Sequence, residues 1–413
     1  MAELKYLKKY SAETDICTLC GTCRTVCPVF LIEGSESSST RGRVSLINGL
    51  ITDDLNITND LTDKLQACLN CRKCMEVCPA NVNFTDLIIS TKADINLNKK
   101  RYFRVAFLKN LFHSNPVISN FSHQLLRSIR KLLYKKNNNV LNILGELIFK
   151  LLRLPKTFII PDMPEKFFFN MNSRHELVGD QKKRVALFLG CGGKYNYPET
   201  SDHLINILRK KGIEVLIPKN QVCCGSPLLD NGNFKLVKFN AMKNFKVFNN
   251  IQDISAIVVQ CSNCSDMLKH QYQNLLGLGK FDVPVIDIMT FIKNEELDLS
   301  PRYTSNISHH VMVRNHNDIN KGSFIFDIMS NVYSENFIGD IQDDQCCGSS
   351  ELYKTINYGT RHLITKNFIK EYIEKDVKYI ACTSFDCIHK INEEASLRNL
   401  NIQAVSITDI FEA

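Results

Sequence analysis

The sequence predicts a multidomain α+β protein, in which a mostly helical, cysteine-rich N-terminal domain precedes two repeated α/β domains that are also rich in cysteine. Eight of the 17 cysteines lie before residue 98 in two groups of identical spacing. Strand-like and helix-like segments alternate after residue 181, and one cysteine pattern recurs 123 residues further along. We therefore expect a cysteine-rich domain at 1–98, a linker at 99–180, and two related domains at 181–300 and 301–413.

Composition places the chain among globular proteins. It has 413 residues, of which 44% are hydrophobic, and this is enough for several cores. The first residues are polar and rich in lysine, and no run of 18 apolar residues occurs, so we expect neither a signal peptide nor a membrane-spanning helix. The absence of these segments predicts a cytoplasmic location, where thiols stay reduced. Because 17 cysteines are then not expected to form disulfides, they are expected to bind metal.

The order of predicted elements in the second half favours parallel sheets. In the first repeat, strands are predicted at Arg184–Gly190, Ile213–Ile217, Ala256–Val259 and Val283–Ile288. In the second repeat, they are predicted at His310–Val313, Tyr379–Ala381 and Ile402–Ile407. A helix is predicted at Glu199–Lys211, ending before Gly212.

Each N-terminal cysteine group has the spacing C-x2-C-x2-C-x3-C and is followed by proline. The groups are Cys17, Cys20, Cys23 and Cys27, and then Cys68, Cys71, Cys74 and Cys78. This is the spacing of bacterial ferredoxins, in which the fourth cysteine of each group binds the other 4Fe–4S cluster. The predicted ligands are Cys17, Cys20, Cys23 and Cys78 for cluster A, and Cys68, Cys71, Cys74 and Cys27 for cluster B. Structural zinc, the alternative, usually joins two C-x2-C pairs across a longer loop.

Two arginines, Arg41 and Arg43, lie between the cysteine groups. They could donate hydrogen bonds that raise a cluster potential, or they could face an acidic partner. A solvated helix start is the third interpretation.

The first repeat contains five cysteines, each just after a predicted strand or in a loop: Cys191, Cys223, Cys224, Cys261 and Cys264. Strand ends are where α/β folds place their sites, so these five are predicted to converge at one sheet edge. Buried structural cysteines are the alternative. In the second repeat only Cys346, Cys347 and Cys387 stay in register, because Arg314 and Ser384 replace two cysteines and Cys382 is displaced.

The second repeat is therefore not expected to hold a standard five-cysteine cluster. A cluster of altered geometry using His316 is one interpretation. A redox-active or vestigial thiol site is the other.

The whole chain resembles the iron–sulfur subunits that join a two-cluster ferredoxin domain to two cysteine-rich CCG domains. The resemblance rests on the two ferredoxin motifs, on Ala186–Cys191 (ALFLGC), and on the VCCG and QCCG segments that end at Gly225 and Gly348. Members include the iron–sulfur subunits of glycolate or D-lactate oxidase and of anaerobic glycerol-3-phosphate dehydrogenase, and the CCG-containing subunits of heterodisulfide reductase. The heterodisulfide branch implies a third, noncubane 4Fe–4S cluster on the five cysteines of the first repeat.

The resemblance also implies a partner chain that carries FAD, and quinone or another acceptor for the electrons. Two function classes follow. In the first, the chain relays electrons from a flavoprotein that oxidises a 2-hydroxy acid or glycerol 3-phosphate. In the second, the first-repeat site itself reduces a disulfide or quinone. No G-x-G-x-x-G fingerprint occurs, which agrees with a flavin on another chain, and no catalytic residue is assigned.

The segment 99–156 carries 13 basic residues and one acidic residue, whereas the rest of the chain is acidic on balance. Nucleic-acid binding is therefore not predicted. A basic amphipathic helix is predicted by the helical spacing of apolar residues with basic residues between them. The apolar residues are Phe121, Leu125, Leu126, Ile129, Leu132 and Leu133, and the basic ones are Arg127, Arg130 and Lys131. Such a helix could rest on the inner face of the membrane as a peripheral contact, or it could be a linker helix packed on the other domains.

Overall fold

The computed structural model of the chain describes residues 4–98, 116–134, 141–151, 164, 166–168, 183–312, 321–339, 341, 345–349 and 358–412. The predictions for Arg314 and His316 lie outside these residues.

The regular elements within residues 4–98 are all helical, in agreement with the predicted character of this region. The α-helices are α1 Ser11–Ile16, α2 Pro28–Glu33, α3 Thr40–Ile51, α4 Asn59–Gln66, α5 Lys73–Glu76 and α6 Phe84–Asn98. The side chains of Ser39 and Thr58 accept hydrogen bonds from backbone N–H groups in the first turns of α3 and α4, which fixes where these helices begin. Ile47, Leu65 and Leu87 are fully buried between the helices.

A helical hairpin follows, formed by α7 Pro116–Leu133 and α8 Ile143–Leu151. Tyr134 and Leu141 form an antiparallel bridge between the two helices, and Leu133 and Tyr134 make a small core of their own. A Cβ at Gly145 would lie 2.1 Å from the carbonyl oxygen of Leu133, so this contact requires glycine. None of the helices in the described part of the chain is long and apolar enough to cross a bilayer.

The first α/β unit is built on a parallel sheet of four strands, in the order β2-β1-β3-β4. The strands are β1 Lys183–Phe188, β2 Ile213–Leu216, β3 Ile257–Val259 and β4 Val285–Asp287. The helices are α9 Pro198–Lys210, α10 Ser226–Asp230, α11 Phe234–Asn249, α12 Ser262–Asp266, α13 Tyr272–Asn274 and α14 Ile288–Asn294. The predicted strands of this repeat are all present, each slightly shorter than predicted.

The second unit repeats this plan. Its strands are β6 Ile307–His310, β7 Tyr379–Cys382 and β8 Gln403–Ser406, paired in parallel in that order, and β5 Ser300–Pro301 pairs with β9 Phe411–Glu412. The helices are α15 Lys321–Tyr333, α16 Tyr358–Glu374 and α17 Phe385–Leu397. Phe337 forms a parallel bridge to Ile307 at the place that β2 takes in the first unit.

Strand β6 lies three residues earlier than the predicted strand at His310–Val313, so that prediction was wrong in position. Its pairing with β7 ends at His310 and Cys382. Beyond this point the Met312 N–H donates to the Thr383 hydroxyl at 3.1 Å rather than to a strand carbonyl. Val311 and Met312, which suggested the strand, are therefore buried in the loop that follows it.

The two units meet at the equivalent first turns of α12 and α17. The Asn263 side-chain amide donates to the Asp386 carboxylate at 2.6 Å, and these residues are 123 positions apart, the same offset that relates the cysteine patterns. The Ser262 N–H donates to the Thr383 carbonyl oxygen at 2.9 Å beside them. The contact at Asn263 and Asp386 thus joins equivalent positions of the two repeats.

Candidate functional site

The cysteines predicted for cluster A line one cavity of the N-terminal domain. This cavity is lined by Cys17, Cys20, Cys23 and Cys78, and also by Cys74, Thr40 and Arg41. Cys74 and Cys78 therefore lie beside the first cysteine group although they belong to the second. The three cysteines of the first group and Cys78 together supply the four thiol donors that a 4Fe–4S cluster takes.

The cysteines predicted for cluster B form a second group. Burial raises the pKa of Cys27 to about 11; the positive charge of Arg43 opposes this, and the nearby Cys71 and Cys68 raise it further. Burial and then Cys71, Cys68 and Cys27 likewise raise the pKa of Cys74. Each of these thiols thus interacts with the others, and this donor set also fits a 4Fe–4S cluster.

The backbone wraps around both positions in the same way. Leu19 and Asn70 have φ values of 55°, and Gly21 and Arg72 have values of 87° and 69°, at matching places in the two groups. These left-handed conformations turn backbone N–H groups inward, and the Asn70 N–H donates to the Cys68 sulfur at 3.3 Å. A non-glycine residue such as Arg72 is strained in this conformation.

Helix α3 begins between the two cysteine groups. Thr40 lies at its start and its hydroxyl hydrogen-bonds to Cys23 and Cys74, one residue from each group. The Arg41 N–H also donates to Cys23. A helix N-terminus favours nearby negative charge, which suits thiolate-bound clusters. No role was predicted for Thr40, although its place at a helix start was a usable signal.

The two arginines of this helix have different roles. Arg41 is paired with Glu36 at 2.6 Å and donates to the Leu19 carbonyl oxygen at 3.0 Å. Arg43 is buried, donates to the Lys64 carbonyl oxygen at 3.0 Å, and acts electrostatically on Cys27. A second buried cation, Lys92, donates to the Cys68 carbonyl oxygen at 3.2 Å. The hypothesis that an arginine tunes a cluster therefore extends to both, since Arg41 acts electrostatically on Cys23 and Cys20 and Arg43 acts on Cys27.

Replacing Lys92 by methionine is expected to lower the reduction potential at cluster B. Reduction adds a negative charge, which a buried ammonium group stabilises. For charges roughly 7 Å apart at an effective dielectric constant of about 20, the loss is about 2 kcal/mol, or on the order of 100 mV for one electron. An EPR-monitored redox titration measures this shift.

Lys8→Met is the matched control, because Lys8 is an exposed lysine of the same domain. Equal potentials in the wild type and the Lys92→Met protein would show that the ammonium group does not act on the cluster.

The five cysteines of the first α/β unit converge as predicted at the carboxyl edge of its sheet. The Cys223 and Cys191 sulfurs are 3.8 Å apart, Cys224 hydrogen-bonds to Cys223 and Cys264, and Cys264 also hydrogen-bonds to Cys261. Gly225, with φ of 89°, turns the chain after the paired cysteines. Five thiols on three loops provide enough sulfur donors for an iron–sulfur cluster.

Neighbouring thiols in this site differ in their tendency to ionise. Hydrogen bonds from Cys223 and Cys264 lower the pKa of Cys224 to about 6, and a hydrogen bond from Cys264 lowers that of Cys261. The hydrogen bond with Cys223, and then burial, raise the pKa of Cys191 well above its usual value. Cys224 and Cys261 are thus the two thiols of this site whose pKa the surroundings lower.

The second unit brings together a different set of donors. The Cys347 and Cys387 sulfurs are 3.0 Å apart, and the His310 ring hydrogen-bonds to Cys347. Cys346, expected to join them, hydrogen-bonds to Cys71 of the N-terminal domain instead. Cys382 donates to the Ile380 carbonyl oxygen at 3.6 Å. His310 was not predicted as a site residue, although an imidazole in a predicted strand beside the cysteine loops was a signal that could have been used.

A buried ion pair joins the N-terminal domain to the first α/β unit. Arg72 donates to the two carboxylate oxygens of Asp266 at 3.1 and 2.7 Å, and their side chains are 9% and 10% exposed. Asn70 donates to Asp230 at 2.8 Å beside this pair. Asn70 and Arg72 belong to the loop around Cys68 and Cys71, which we call the cluster B loop. This loop is therefore held against the five-cysteine site.

Replacing Asp266 by asparagine is expected to destabilise the protein by about 3–5 kcal/mol, because it leaves the buried Arg72 charge uncompensated. Chemical denaturation followed by circular dichroism measures this loss. Glu374→Gln is the control, since it removes an exposed ion pair with Lys370 and should change the stability little. Equal stabilities for the two variants would contradict the role assigned to the Arg72–Asp266 pair.

Comparison with known proteins agrees with this geometry. A 4Fe-4S dicluster domain model matches residues 13–82, and the CCG cysteine-rich domain model matches residues 185–269 and 327–392. The chain is 28% identical over 275 residues to the probable glycolate oxidase iron-sulfur subunit of Bacillus subtilis, covering 63% of this chain and 59% of that protein.

Two further relatives carry other names. A subunit of the CoM/CoB fumarate reductase of Methanothermobacter marburgensis is 25% identical, over 66% of this chain and 47% of that protein. A subunit of the anaerobic glycerol-3-phosphate dehydrogenase of Escherichia coli is 23% identical, over 52% of this chain and 57% of that protein. The chain thus matches about half of the length of these relatives.

The chain thus combines a 4Fe-4S dicluster domain with CCG cysteine-rich domains. It is similar to iron–sulfur subunits of oxidoreductases, over part of their length.

Proposed function

We propose that this chain relays electrons from a flavin-dependent dehydrogenase of a 2-hydroxy acid, glycolate or D-lactate, toward quinone. The FAD would lie on a partner chain. In this proposal the ferredoxin-like domain is 1–98, the linker is 99–180, and the two CCG domains are 181–300 and 301–413. Cluster A would be held by Cys17, Cys20, Cys23 and Cys78, and cluster B by Cys68, Cys71, Cys74 and Cys27. When bound, these clusters would accept and release single electrons.

The observation that carries this proposal is the close spacing of the cysteine groups. Thr40 contacts both groups of the N-terminal domain, and the Cys71 thiol is hydrogen-bonded to Cys346 of the second CCG domain. The first CCG domain is attached to the same loop through Arg72 and Asp266. Such a chain of adjacent thiol groups suits electron transfer between sites.

A third, noncubane 4Fe–4S cluster on Cys191, Cys223, Cys224, Cys261 and Cys264 is part of the proposal. Four of these thiols are buried, and the Tyr197 ring stacks on Phe385 beside them at 5.2 Å. Burial limits the approach of a disulfide substrate to the sulfurs, which favours relay over disulfide reduction. The completeness of the five-thiol set is the observation that keeps disulfide or quinone reduction at this site as the second candidate.

Turnover by the isolated chain separates these candidates. The reconstituted chain, reduced anaerobically with dithionite, is mixed with a quinone analogue or an organic disulfide, and its reoxidation is followed by the visible absorption of the clusters. If the chain is an electron relay, the reduced clusters should not react with the disulfide. A hydroxy acid should then reduce the oxidised clusters only after the flavoprotein is added. Rapid disulfide reduction that Cys224→Ala abolishes would favour the second candidate.

The helical hairpin supports peripheral contact with the cytoplasmic face of the membrane. Phe121, Leu125 and Leu132 of α7 are at least half exposed, and so are Ile143 and Leu147 of α8. Lys131 is exposed on the same helix as the first three. Arg130, which the sequence suggested for lipid contact, is instead buried over the Tyr134 ring at 4.8 Å. Apolar and cationic groups together suit an anionic lipid surface.

Replacing Arg127 and Lys131 by glutamine is expected to weaken binding to phosphatidylglycerol vesicles roughly 30-fold, because each cation contributes about 1 kcal/mol at such a surface. Vesicle sedimentation measures the binding. The control, with Lys370 and Lys375 replaced by glutamine, should bind like the wild type. Equal binding by all three proteins would assign the hairpin to contact with protein rather than lipid.

A further inference from the structure

We propose that a single transition-metal ion of the zinc type binds between His310, Cys347 and Cys387 in the second CCG domain. One ring nitrogen of His310 and the two sulfurs lie within 4.8 Å of one another, and all three residues are buried. No other group of three such donors this close occurs among the described residues. Mixed nitrogen and sulfur donors at this spacing are those that zinc prefers.

The three donors are held by different elements of the fold. His310 ends strand β6, and its ring packs against Phe368 of α16 at 4.7 Å. Gly348, with φ of 79°, turns the chain after Cys347, and the Thr365 hydroxyl donates to the Cys347 carbonyl oxygen at 2.8 Å. Cys387 lies in the first turn of α17. The donors are therefore positioned before an ion binds.

Comparison of the two repeats explains why one ion fits better than a cluster. At the 123-residue offset, the places of Cys191 and Cys261 are taken by Arg314 and Ser384, so two thiols are lost. At the same offset His310 stands where the first repeat has Leu187, so one imidazole is gained. A cubane takes four thiolates, whereas two thiolates and one imidazole leave a single position for a water on one ion.

The remaining neighbours agree with this assignment. The Ser349 hydroxyl lies 3.3 Å from the Cys347 sulfur and 3.5 Å from the Cys387 sulfur, where it can hydrogen-bond to either thiolate. Cys346 lines the same cavity, together with Leu69 and Cys71, but it is hydrogen-bonded to Cys71 and is not one of the three donors that lie within 4.8 Å of one another. A bound ion would thus fix the Cys346–Cys347 segment against the cluster B loop.

Binding requires no oxidant or reductant. Two thiols lose their protons to solvent, the neutral imidazole binds through one nitrogen, and the divalent ion keeps its charge. The proposal is therefore independent of the electron relay, and the iron content of the same sample reports on the clusters separately.

The test uses the full chain, purified anaerobically with its clusters. Elemental analysis is expected to give about one zinc per chain in addition to the cluster iron. Cobalt exchanged into this position should give thiolate-to-cobalt charge-transfer absorption. His310→Gln should weaken metal binding by at least about 10–100-fold with the iron content unchanged.

His309→Gln is the matched control. His309 precedes His310 in the same buried strand and faces the opposite side, where its ring is 5.5 Å from Phe337, so metal binding should be retained. Equal loss in both variants would overturn the proposal. If neither variant folds, the wild type decides: a Cys347–Cys387 disulfide found by mass spectrometry, or zinc absent with additional iron in its place, would overturn it.

Discussion

Replacing Cys78 by alanine is expected to remove cluster A and leave cluster B intact. Cys78 is four residues after Cys74, so sequence proximity alone would assign it to cluster B. It lines the same cavity as Cys17, Cys20 and Cys23, and without its thiolate one iron of the cubane has no protein ligand. The four-iron cluster should therefore be lost, either completely or down to a three-iron form, which iron analysis and EPR of the reduced sample measure.

The reciprocal variant, Cys27→Ala, should remove cluster B, because Cys27 interacts with Cys71 and Cys68. The cluster that survives in each variant can be identified independently. In Cys78→Ala its potential should still respond to Lys92→Met, because Lys92 lies next to Cys68. A surviving cluster whose potential does not respond would contradict the exchange of fourth ligands.

Replacing Cys224 by alanine is expected to remove the proposed third cluster, with a loss of about four irons and with both dicluster signals preserved. Cys224 lies in the middle of the five-thiol group, hydrogen-bonded to Cys223 and Cys264. The change removes one buried sulfur, so any loss of stability should be small beside the loss of iron. Iron analysis and visible absorption measure the outcome.

Cys382→Ala is the control, because Cys382 is a buried cysteine of the second CCG domain outside the three-donor group. It should leave the iron content unchanged. If Cys224→Ala also retains all its iron, the five thiols are part of the hydrophobic core rather than cluster ligands.

Much of this arrangement could be predicted from the sequence because cysteine spacing is a local property. The two N-terminal groups differ only in the residues between their cysteines, and even their left-handed positions, Leu19 and Asn70, match. The repeat offset likewise supported the prediction of a second sheet, although its first strand was misplaced by three residues. The same offset relates Asn263 to Asp386, which are in contact between the two units.

The contacts between domains could not be predicted in this way. The spacing in either motif says nothing of Cys346 meeting Cys71, or of Arg72 pairing with Asp266 nearly 200 positions away. His310 was missed for a related reason. It replaces a leucine of the first repeat rather than a cysteine, so alignment of the cysteines alone does not reveal it.

The most direct test of the relay is anaerobic co-purification of the tagged chain in mild detergent, followed by addition of glycolate or D-lactate. The account predicts that a FAD-containing dehydrogenase subunit accompanies the chain, and that the hydroxy acid reduces both dicluster centres, seen as new EPR signals. Glycerol 3-phosphate giving this result instead would keep the relay and change the substrate. Purification without any flavoprotein, together with disulfide reduction by the chain alone, would contradict the account.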